Sequence, residues 1–140
     1  MDDTAFLRER IESYADYTKD VDRQRADEQV RAYAGEALSR VVELLRPVGR
    51  TAEDASRVLL RCEFVDQRMA RAFDADPMSA AEIDRLHAAD RTLVELADRA
   101  DSVAAGELAD YVQAIDAALD ERVAIVEAIR PSPLPVPPLK

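Results

Sequence analysis

The chain has 140 residues, 48% of them hydrophobic, which is enough for one domain with a buried core. Only 5% are aromatic and none is Trp. The apolar residues are mainly Ala, Leu, Val and Ile without β-type alternation, so a sheet is not expected. A net charge of −10 with no Lys/Arg cluster excludes a nucleic-acid face, which needs cations to displace counterions, and disfavours an anionic membrane surface.

Helix breakers divide the chain into segments. Pro47, Pro77, Gly49 and Gly106 separate four helical stretches of about 22 to 25 residues, matched in length as in a helical bundle. The first segment precedes them. Capped by Thr4 or Asp3, it is predicted to run as a helix through Phe6, Leu7, Ile11, Tyr14 and Thr18 to Val21, with its apolar residues on one face. Residues 20–29 are almost wholly polar, and a break near Gln24 is an open question. The second segment carries Val30, Ala34, Ala37, Leu38, Val41 and Leu45 and stops before Pro47.

Thr51 and Asp54 suggest the start of a third segment with the stripe Ala55, Val58, Leu59, Cys62, Val65, Met69, Ala72 and Phe73. Ser79 with Glu82 is a capping box opening the fourth, which carries Ile83, Leu86, Leu93, Leu96 and Ala97. Gly106 is either a C-cap or an interior glycine. The fifth segment reads Leu108, Val112, Ile115, Leu119, Val126 and Ile129. The prediction is an all-α, up-and-down antiparallel bundle of four helices plus an additional N-terminal helix. It occupies residues 1–130 and is followed by a proline-rich, extended tail over 131–140. The rival is two very long helices, unbroken at Gln24 and Gly106.

Two charged residues interrupt apolar seams. Asp90 lies among Leu86, Leu93 and Ala97, and Arg122 among Leu119 and Val126. Each is 16 residues from Gly106, so antiparallel helices of equal rise bring them to one height. The same counting around the bundle adds Tyr33, Cys62, Glu63, Asp66 and His87. One reading of this layer is a self-satisfied ion pair that fixes register. The other is a ligand site in which Arg122 holds a carboxylate or phosphate with Asp90, His87, Tyr33, Glu63 and Cys62 around it. A lone Asp84-x-x-His87 is too little for a carboxylate-bridged metal centre. No phosphate loop or nucleophile elbow occurs. No catalytic residue, metal or cofactor is therefore assigned.

The ends offer adhesive material. Phe6, Ile11, Tyr14 and Tyr17 form an aromatic-rich helix face for a partner, a second copy or the bundle itself, and Pro135, Pro138 and Lys140 resemble a proline-rich ligand with a basic end. The N-terminus lacks a signal-peptide pattern and no apolar run is long enough to span a bilayer, so a cytoplasmic location is expected. The leading functional expectation is a non-catalytic interaction, adaptor, chaperone-like or scaffold bundle that self-associates. A small-ligand- or metal-binding bundle, conceivably an enzyme, is the alternative.

Overall fold

The computed structural model describes residues 2–75 and 78–129, the side chains of Ala75 and Ile129 excepted. All regular structure in these residues is helical: α1 (Asp3–Arg10), α2 (Arg23–Leu45), α3 (Gly49–Glu63), α4 (Gln67–Ala75), α5 (Ala80–Asp98) and α6 (Leu108–Ile129). Four rods make the bundle: α2, α3 continued by α4, α5, and α6. The added N-terminal helix packs on α5. This is the expected all-α antiparallel bundle, and the long-helix rival is excluded because the chain breaks over 11–19 and again over 99–107.

Successive rods alternate in direction. Asp27 of α2 and Asp90 of α5 both meet Arg122, while farther along the same two helices Tyr33 meets Asp98. Residues 57, 61 and 68 of the α3–α4 rod meet 116 and 127 of α6 in rising order. Two antiparallel hairpins, α2 with α3–α4 and α5 with α6, therefore lie side by side. Helix α2 runs parallel to α5, and the α3–α4 rod runs parallel to α6. The core between them is Ala-rich and thin. Within it Gly35 faces Cys62, and a Cβ at Gly35 would lie 3.0 Å from the Cys62 Cβ.

Four local expectations need correction. Helix α1 is capped by Asp2, which accepts from the Ala5 amide, and it ends at Arg10 rather than running to Val21. Beyond it, side chains outbid the helix for backbone groups: Gln29 accepts from the Ala15 amide and donates to the Ser13 carbonyl, and Asp16 accepts from the Thr18 amide. Ser13 and Asp16 adopt positive φ in this strap. Helix α3 begins at Gly49, whose φ of +64° suits glycine, with no side-chain cap from Thr51. The third stripe is cut at Phe64–Val65–Asp66, where Asp66 accepts from the Arg68 amide and starts α4.

The Ser79–Glu82 capping box is present in both directions. It holds the Glu82 carboxyl below its ordinary range, first through the Ser79 backbone N–H. Ser79→Ala should cost about 1 kcal/mol, read as a lower urea midpoint with an unchanged slope. No helix among the described residues is long and apolar enough to cross a membrane.

Candidate functional site

The seam residues meet as the spacing requires. Arg122 Nε donates to Asp90 Oδ1 at 2.7 Å, and its Nη2 donates to Asp27 Oδ1 at 2.6 Å. Asp27 Oδ2 accepts from Arg31 Nε at 2.9 Å, and Arg31 Nη1 reaches the Cys62 carbonyl at 3.0 Å. From the strap, the Tyr14 and Tyr17 hydroxyls donate to Asp90 Oδ2 at 2.8 and 2.6 Å. Asp27 and Asp90 are fully buried, and Arg122 and Arg31 are 1% and 6% exposed. Two carboxylates and two guanidiniums thus balance in a buried layer fed by the strap and by α2, α3, α5 and α6.

Environment tunes these groups. Burial pushes the Asp90 carboxyl up, opposed by Arg122 and the two tyrosines. Burial works against the Arg122 charge more than any single neighbour favours it, but Asp90, Tyr17 and Asp27 together outweigh it and hold the guanidinium firmly protonated. Burial, then the Asp90 charge, raises the Tyr14 and Tyr17 phenols far above their usual range. The layer binds protons tightly on its tyrosines.

The other expected members separate. Tyr33 lies farther along α2 than Asp27 and donates to Asp98 at the C-terminal end of α5, away from the Asp90–Arg122 pair. Glu63 is exposed on the outside of α3. Cys62 is buried against Gly35, its thiol pushed by burial up to about 11, and it joins the layer only through its carbonyl. Asp66 pairs with Arg68 instead. His87 is buried beside the rings of Tyr14 and Tyr17, and its Nε2 has no hydrogen-bond partner among the described residues. Among those residues no group of three or more His, Cys, Asp or Glu side chains is placed to hold a metal.

The expected adhesive ends also change. Phe6, Ile11, Tyr14 and Tyr17 are buried in their own domain, so they are not a free partner-binding face. Of these, Tyr14 and Tyr17 serve the polar layer. Pro135, Pro138 and Lys140 lie outside the described residues. Sequence reasoning missed Asp27 and Arg31. The signal was present, since Asp27, Val30, Ala34 and Val41 recur at helical spacing and place Asp27 in an apolar seam.

Exposed apolar surface appears elsewhere. Where α3 breaks, Leu60, Phe64 and Val65 are 54%, 62% and 37% exposed. They line a cleft of about 400 Å³ with Met69, Leu119 and Val123, and Arg31, Arg57, Arg61 and Arg122 also reach it. Arg57 and Arg61 form the rim and pair with Asp116. No protein-family model, curated protein or solved structure matches the chain.

Proposed function

We propose that this chain is a non-catalytic interaction bundle that associates with a second copy of itself through the face around the α3–α4 break. The observation that supports this reading is the grouping of Leu60, Phe64 and Val65 on one cleft of a size typical of binding pockets. The polar layer favours it too. A site built to take a charged ligand keeps free donors, whereas here Asp27 and Asp90 are already matched to Arg31, Arg122 and two tyrosines.

The face is small, which places the association at the weak end of protein–protein contacts. Sedimentation velocity up to near-millimolar protein should give a concentration-dependent dimer. Phe64→Asp should shift it back to monomer at an unchanged melting temperature, because Phe64 is a surface residue. A wild-type chain that stays monomeric over the whole range would sink the reading.

A further inference from the structure

The α3–α4 break carries both halves of one contact. Glu63-Phe64-Val65 is an exposed acidic and apolar edge. Phe64 and Val65 form one wall of a cleft whose other apolar walls are Leu60, Met69, Leu119 and Val123, and charged groups of both signs border it, Asp66 and Arg57 among them, the Arg57 side chain being 50% exposed. The apolar edge matches the apolar cleft in polarity, and the exposed Glu63 is opposite in charge to the half-exposed Arg57. They do not satisfy each other within one chain: Arg57 turns to Asp116, and Glu63 makes no ion pair among the described residues.

We infer that the cleft is filled by the Glu63–Phe64 edge of a second copy, with exchange in both directions about a two-fold axis. This rests on the self-association proposed above. Phe64 of each chain enters the apolar cleft of the other, and Glu63 of each reaches the partner's Arg57. A two-fold interface is self-complementary by construction, so every contact occurs twice and one surface must supply both members. The two Phe64 rings then lie near the axis, where offset or edge-on aromatic contact is favourable. Charge pairing at the rim sets the register of the exchange.

A charge-swap complementation tests this geometry on the full chain. Glu63→Arg alone places like charges at both rims, as does Arg57→Glu alone, so each variant should dimerise at least about tenfold more weakly than wild type. When the two are mixed, Arg at 63 of one chain meets Glu at 57 of the other, and the native pair survives at the second rim. The mixture should therefore form a heterodimer close to wild-type strength, visible by native mass spectrometry because the two masses differ. Both sites are on the surface, and circular dichroism checks that each variant is folded. If Phe64→Asp abolishes the dimer but the mixture gains nothing over its parts, the face associates and reciprocal exchange is wrong. If the wild type is monomeric, the association reading and this inference fall together.

Discussion

Arg122→Ala is expected to lower the stability of the fold by about 3–5 kcal/mol, the cost of leaving a buried charge without its partner. Asp90 and Asp27 both depend on this guanidinium, and neither has access to water. For a domain whose whole stability is about 5–15 kcal/mol, the variant is then close to unfolding at physiological temperature. Urea denaturation followed by circular dichroism reads the loss directly. Adding Asp90→Asn removes one stranded charge, so the double variant should be more stable than the sum of the two single losses allows. Additive losses, or an unchanged midpoint for Arg122→Ala, would mean the layer is solvated in solution.

Alkaline pH should unfold the protein cooperatively, beginning near the ordinary tyrosine range. The sign follows from linkage. Tyr14 and Tyr17 have folded pKa values raised far above about 10, so between those limits the folded state holds protons that the unfolded chain has lost. Their contribution is fully present below pH about 10 and falls as pH rises. Each contributes a slope of about 1.4 kcal/mol per pH unit, or nearly 3 for the pair. Tyr33 and Tyr111, pushed by burial up to about 12, add in the same direction. A circular-dichroism titration should show a steep transition. Tyr14→Phe with Tyr17→Phe should flatten its pH dependence while lowering stability at neutral pH, because two bonds to a carboxylate are lost. Retention of the native spectrum at pH about 12 would contradict this account.

The bundle was legible where helical periodicity and capping chemistry act locally. The Ser79–Glu82 box needs only four residues, and equal distances from Gly106 suffice to pair Asp90 with Arg122. Interruptions governed by distant partners were not legible. The strap over residues 11–19 leaves helical geometry because Gln29, well beyond it in sequence, takes over its backbone groups. The break after Glu63 carries no Pro or Gly and depends on Asp66 capping the next helix. Glu63 was misplaced because the count from Pro77 assumed an unbroken rod across residues 64–66, and Tyr33 because height alone does not say which neighbour a side chain faces. Tyr14 and Tyr17, expected on a helix face open to a partner, a second copy or the bundle itself, instead belong to the strap after Arg10 and are buried in their own domain.

The polar layer draws its members from the strap, α2, α3, α5 and α6, and this makes it a lock with several keys. Tyr14 and Tyr17 come from the strap, Asp27 and Arg31 from α2, Asp90 from α5, Arg122 from α6, and the Cys62 carbonyl from α3. An assembly lacking α5 or α6 holds an unmatched charge in its interior, and one lacking α2 leaves Arg122 without one of its two carboxylates. Partly built bundles are thereby penalised relative to both the complete fold and the open chain. The expected signature is hydrogen exchange in which the strap amides and those of the four rods near the layer open together, at the free energy of global unfolding, with no separable fraying of the N-terminal segment beyond Arg10.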